Sequence, residues 1–101
     1  RGEMPSALFV SNDMMAMGAL DEIRNVMGLS VPGDVSVVGF DGINAGRFAS
    51  YELTTIRQPI SRMSDAVVKM LMARIENPEL SDEKHVLLGS FLQGTSSGPA
   101  P

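Results

Sequence analysis

Cysteine is absent from this 101-residue chain, and histidine occurs once. No disulfide can form, no thiolate can hold a metal, and His85 alone cannot assemble a zinc site, so neither metal nor cofactor is expected. Basic residues are few, with 8 Lys and Arg against 12 Asp and Glu and a net charge of −4. Holding nucleic acid takes clustered cations that displace counterions from phosphate, so this segment is not expected to grip DNA itself. Long apolar runs are missing too. Ala7 to Val10 and Val35 to Phe40 fall far short of the roughly 20 residues that span a bilayer, which argues against membrane insertion. Arg1-Gly2-Glu3-Met4-Pro5 has no basic stretch leading into an apolar one, so no secretory leader is expected there.

What remains is the composition of a soluble globular protein: at 44% hydrophobic and 20% charged residues, the chain is too apolar for disorder and not periodic enough for a fibre. Its length allows one compact unit at most.

Ser6 to Ser11 is short, apolar and bounded by turn formers, which predicts a strand buried on both faces. From Met14, the apolar positions Met17, Leu20, Ile23 or Arg24, and Met27 recur at the spacing of a helix for which Asp13 is the expected N-cap and Gly28 the left-handed C-terminal cap. Val31-Pro32-Gly33-Asp34 fits a type II turn. Val35 to Phe40 then reads as a second strand, and a strand, helix, strand order with this connection predicts a parallel right-handed crossover. Asp41 to Glu52 is read as a loop or short broken helix, and Leu53 to Ile56 as a brief strand. Pro59 opens a second helix with Ile60, Met63, Val67, Leu71 and Ile75 as its apolar stripe, stopped by Asn77-Pro78. His85 to Leu92 is the last strand, and residues 94–101 have the composition of a flexible tail. The fold class is therefore α/β, part of a doubly wound parallel sheet. Such a set cannot cover its own apolar surfaces, so the chain is expected to be a piece truncated at its start. In isolation, the stripe of the second helix would have to fold back, swap between chains or aggregate.

In an open parallel sheet, ligands bind beyond the carboxyl ends of the strands. Asn12-Asp13 follows the first strand and Asp41-Gly42 the second, so both pairs face one edge. A carboxylate at Asp41 can accept from adjacent hydroxyls or ring N–H groups while the Asn12 amide donates and accepts, a pairing suited to a sugar or nucleobase. The same residue types also favour caps and turns, so the pattern leaves both roles open for Asn12 and Asp41 and favours capping for Asp13. Seven of the eight methionines (Met14, Met15, Met17, Met27, Met63, Met70 and Met72) fall on the predicted helices and are expected to fill core gaps. Gly39, Gly42 and Gly46 lack the spacing of a phosphate loop. No nucleophile has a base beside it, so the chain is not expected to be an enzyme.

Three separated stretches carry a resemblance: Ala7-Leu8-Phe9-Val10-Ser11-Asn12-Asp13-Met14-Met15-Ala16-Met17-Gly18-Ala19-Leu20, then Gly28 to Asp41, then Leu53-Thr54-Thr55-Ile56-Arg57-Gln58-Pro59. In this order they closely resemble the C-terminal region of LacI/GalR transcriptional regulators. The resemblance implies the C-terminal portion of a type I periplasmic-binding-protein-like fold. Residues 1–56 would form part of the C-terminal lobe, 57–80 the crossover and helix of the N-terminal lobe, and 81–93 a returning strand. It further implies that Asn12 and Asp41 hydrogen-bond a small-molecule effector, with Gln58, Phe40, Ile60 and Met63 at or near the cleft. Met17, Leu20 and Phe48 would lie in a homodimer seam. Operator DNA would be bound only through an absent N-terminal helix-turn-helix, in the cytoplasm. The family commonly ends its last strand with Arg followed two residues later by Ser, whereas this chain has Gln93-Gly94-Thr95-Ser96. The alternative is part of a periplasmic sugar-binding protein of an uptake transporter; Val31-Pro32-Gly33-Asp34-Val35 and Leu53 to Pro59 lean toward the regulator.

Overall fold

The computed structural model describes residues 4–101. Arg1 to Glu3, part of the stretch read for a leader, lie outside the described residues. The chain divides into two compact units, one of Arg1–Arg57 with Ser90–Pro101 and the other of Gln58–Gly89.

In the first unit, β1 (Ala7–Phe9) and β2 (Ser36–Val38) pair in parallel, Leu8 opposite Val37, and α1 (Asp13–Asp21) connects them. The crossover expected from the sequence is present. Helix α1 continues into a wider π turn over Glu22–Val26, and Gly28 takes a φ of +69° just beyond it. Leu29 donates its N–H back to the Ile23 carbonyl at 2.9 Å and packs on the core, so the helix stops where a glycine supplies the left-handed cap. Ala16, Leu20 and Ile23 from the helix meet Val35, Val37 and Leu53 in the core, each larger side chain contributing about 1.5–3 kcal/mol by burial.

Among the expectations that change, four concern the first unit's core, strand, turn and C-terminal stretch. Among the described residues the core contains no methionine: Met14, Met15 and Met27 are exposed because the buried face of α1 and its π turn falls on Ala16, Leu20 and Ile23 instead, and Met72 is exposed on the second helix. The β1 strand is not buried on both faces, since it pairs with β2 alone and leaves Phe9 exposed. Val31-Pro32 is a cis peptide and Gly33 is not among the positive-φ glycines, so the turn is not type II. It closes instead through Asp34, whose N–H donates to the Ser30 carbonyl and whose carboxylate accepts the Ser30 N–H at 2.8 Å.

The fourth concerns residues 94–101, predicted as a flexible tail. β3 (Thr55–Arg57) and β4 (Ser90–Leu92) pair antiparallel, and the segment of β3 meets β2 and its continuation at two isolated parallel bridges, Asp41–Arg57 and, beside β2 itself, Val38–Thr54. Ser96 fills the place beside that bridge. Its carbonyl accepts from Val37 N–H at 2.8 Å, while its wholly buried hydroxyl donates to the Val37 carbonyl at 2.6 Å and accepts from Thr54 N–H at 2.9 Å. Thr95 N–H reaches the Glu52 carbonyl, and Ser36 and Gly98 bond to each other. Small polar residues, read as linker composition, serve here to satisfy backbone groups between two strands.

The second unit is α2 (Ile60–Glu76) with the extended stretch after it. Pro59 precedes its first turn, and beyond its last the Arg74 guanidinium donates to the Leu80 and Ser81 carbonyls at 3.0 Å. No residue of α2 is buried: Ile60, Val67, Leu71 and Ile75 stay exposed, because a single helix has no second layer to pack on in this unit. The last strand is shorter than the predicted His85 to Leu92. Only Ser90–Leu92 finds a partner, in β3, while residues 81–89 group with α2.

Ser96→Ala is expected to lower the unfolding free energy by about 1–3 kcal/mol, the cost of stranding buried partners, as measured by denaturant unfolding. Unchanged stability would mean that the docking of 94–98 contributes nothing.

Candidate functional site

The parallel pairing places the carboxyl ends of β1 and β2 at one edge of the sheet, and the pairing extends one step further through Val10 N–H to the Val38 carbonyl at 2.8 Å. Asn12 follows directly in an extended conformation, and its Oδ1 accepts the Met15 N–H at 2.9 Å. Asn12, not Asp13, is therefore the helix cap. That bond uses the amide oxygen; the NH2 is a separate donor group.

Asp13 is wholly buried. A carboxylate taken out of water must be given donors, and the adjoining segments supply them. Its Oδ2 accepts Gly42 N–H at 2.9 Å and Ile43 N–H at 3.0 Å, and its Oδ1 accepts the Thr55 hydroxyl at 2.7 Å. Its place in the first turn of α1 also puts the charge at the positive end of the helix dipole. The surrounding backbone approaches closely: a Cβ on Gly39 would stand 2.4 Å from Asp13 Oδ1 and 2.9 Å from Leu53 Cδ2.

Asp41 lies past the end of β2, half-buried, with its N–H donated to the Ile56 carbonyl at 2.9 Å. Its φ is +135°, a conformation that costs a non-glycine residue about 1–3 kcal/mol and persists only where neighbours impose it. Gly42 follows at +75° and must be glycine on two counts, since a Cβ there would also meet Arg57 Cα at 2.6 Å. Phe40, half-buried, precedes this turn.

The structure thus brings Asn12, Phe40 and Asp41 to one edge of the first unit. Gln58, Ile60 and Met63 belong to the second unit. There Ile60 and Met63 are exposed on α2, and Met63 with Ala66, Val67, Met70, Val86 and Leu87 lines an open, apolar groove of about 380 Å³.

Of the residues assigned to a dimer seam, Leu20 is withdrawn. It is 0% exposed, on the face of α1 turned to the core, and has no surface to offer a partner. Met17 is half-buried, and Phe48 is 63% exposed at the end of a 3-10 turn over Asn44–Arg47. The loop carrying Phe48 is latched to α1 and its π turn: Arg24 Nη1 donates to the Ser50 carbonyl at 2.6 Å and the Tyr51 hydroxyl to Asp21 Oδ2 at 3.1 Å. Neither latch is legible in the sequence, because their partners are 26 and 30 positions apart and leave no local pattern. The hydrogen bond to Asp21, reinforced by its charge, raises the Tyr51 phenol above its ordinary value of 10.0.

The sequence matches the family model of the periplasmic binding protein-like domain over residues 1–97. It is 45% identical over 84 residues to the HTH-type transcriptional repressor PurR of Pasteurella multocida (strain Pm70), an alignment covering 83% of this chain and 24% of that protein. Among solved structures, it matches a LacI family transcriptional regulator from Enterococcus faecium with bound ribose at a TM-score of 0.83 and 31% identity, covering 99% of this chain and 37% of that one. It matches the lac repressor dimer bound to operator and the anti-inducer ONPF at a TM-score of 0.79 and 30% identity, covering 95% and 33%. The chain spans about a quarter of the length of the curated relatives it matches.

Gly42→Ala is expected to destabilise the fold by more than about 2 kcal/mol in denaturant unfolding, from the left-handed backbone and the clash together. Tyr51, whose folded pKa is raised, contributes stability at neutral pH that is lost as the phenol ionises above pH 10.0. A phenolate absorbance titration should rise at higher pH in the wild type than in Asp21→Asn, and coincident curves would remove the latch.

Proposed function

The chain belongs to the periplasmic binding protein-like domain family, and from that premise we propose that it is the effector-sensing C-terminal part of a LacI-family transcriptional regulator. The observation that carries the reading is the sheet edge at which Asn12 and Asp41 stand together past two parallel strands. Asp41 presents acceptor oxygens and Asn12 an amide, the complement of a polyhydroxyl or ring N–H ligand such as a sugar or nucleobase. Phe40, which precedes Asp41, is assigned to the same ligand's surroundings.

A relative named as a repressor and another solved with ribose favour the regulator over an uptake protein. On this reading the protein works in the cytoplasm, is not an enzyme, and forms a homodimer in which Met17 and Phe48 lie near the seam. Operator DNA is bound through a helix-turn-helix outside this chain. A ligand regulates such a protein only by preferring one arrangement of its parts over another, so effector and operator affinities are reciprocally coupled. Among the described residues, no helix is long and apolar enough to cross a membrane.

The test is a thermal-shift screen of the full-length protein against pentoses, hexoses and purine bases, followed by calorimetry on whatever shifts it. Asp41→Ala is expected to weaken that binding by about 1.5–3 kcal/mol, the range for hydrogen bonds to a charged group, with cooperative melting retained. Undiminished affinity in that variant would remove Asp41 from the site.

A further inference from the structure

Among the described residues Asp13 is the one buried charge at the sheet edge, and the proposed effector site gives it no role. Its three acceptor bonds go to residues that flank or face the two ligand candidates. Asn12 precedes it in the chain. Gly42 and Ile43 follow Asp41, and Thr55 lies on the strand whose Ile56 carbonyl holds the Asp41 N–H. The strain at Asp41 needs an external restraint, because a φ of +135° relaxes if the residues after it are free to move. The bonds from Gly42 and Ile43 to Asp13 supply that restraint from one side, and the Ile56 carbonyl supplies it from the other.

We propose that Asp13 is a positioning residue for effector binding: its carboxylate locks the loop after β2 onto the start of α1, so that Asp41 and Asn12 are aimed before any ligand arrives. The inference rests on the effector reading for what the aim is for, but the lock itself is a property of the free protein. Preorganisation of this kind spares the ligand the cost of ordering the loop. Asp13 touches no ligand in this scheme and acts through Asp41.

Hydrogen exchange on the ligand-free full-length protein reads the lock directly. The Gly42 and Ile43 amides should be protected in the wild type, and in Asp13→Ala they should exchange at least about tenfold faster relative to the Val37 amide, with Asp13→Asn intermediate. Unprotected amides in the wild type, or protection untouched in Asp13→Ala, would overturn the proposal.

Calorimetry with ribose and with hypoxanthine, an oxopurine whose ring N–H groups can meet a carboxylate, reads the consequence. Asp13→Ala should weaken the binding probe, and the Asp13→Ala, Asp41→Ala double variant should be no weaker than Asp41→Ala alone; additive losses would show that Asp13 does not act through Asp41. If neither probe binds and no wider panel does, the effector reading fails while the exchange data still decide the lock. If Asp13→Ala does not fold, Ile43→Pro replaces it. Ile43 has a φ of −70°, which proline adopts, so that variant deletes one donor to Asp13 while keeping the φ of residue 43. Faster exchange at Gly42 in Ile43→Pro but not in Ile43→Ala supports the lock, and equal exchange in both overturns it.

Discussion

A buried carboxylate with every donor supplied by another segment sets the terms for the first unit. Asp13 cannot be desolvated unless Gly42, Ile43 and Thr55 are in place, and those residues lie about 29 to 42 positions away. The glycines nearby follow from it. Gly39 must lack a side chain because the Asp13 oxygen occupies the space where one would go. Gly42 must lack one because the chain has to double past Arg57 to present its amide. A run that reads as a loose Gly-rich loop is thus a tightly specified piece of backbone wrapped around a charge.

The sheet shows the same economy of small polar groups. β2 and β3 come together at Val38 and Thr54 and are held alongside by Ser96, whose side chain and main chain both serve as substitutes for a neighbouring strand. The Thr54 hydroxyl continues the arrangement by accepting from Gly94 N–H and bonding to Ser97. The stretch Gln93-Gly94-Thr95-Ser96, which lacks the Arg that the LacI/GalR resemblance leads one to expect, holds Gly94 where a Cβ would collide with the Glu52 carbonyl oxygen. There two backbones pass too closely to admit a side chain.

The elements whose character depends on local spacing could be read from the sequence. A strand within Val35 to Phe40, a helix running on from Met14, the cap at Gly28, the second helix after Pro59 and the placing of Asn12 and Asp41 at one sheet edge all follow from periodicity and turn chemistry. What could not be read depends on partners distant in sequence. Asn12 and Asp13 are both good caps, and only the three donors arriving from residues 42, 43 and 55 decide that Asp13 turns inward and Asn12 caps. Leu20 and Met17 sit on one periodic face, and only the packing of Val35, Val37 and Leu53 separates a core residue from a half-exposed one. Ser96 has the composition of a linker and the surroundings of a core residue.

The position of Ser96 also orders the making of this protein in time. The gap it fills lies beside Val37, 59 residues earlier, with the whole of the second unit between. During synthesis β1, α1 and β2 can pair as they emerge, but Thr54 and Val37 keep unmet backbone groups until residues 94–98 leave the ribosome. For that interval the sheet has an open edge at Val37 and Thr54, closed only when Ser96 arrives.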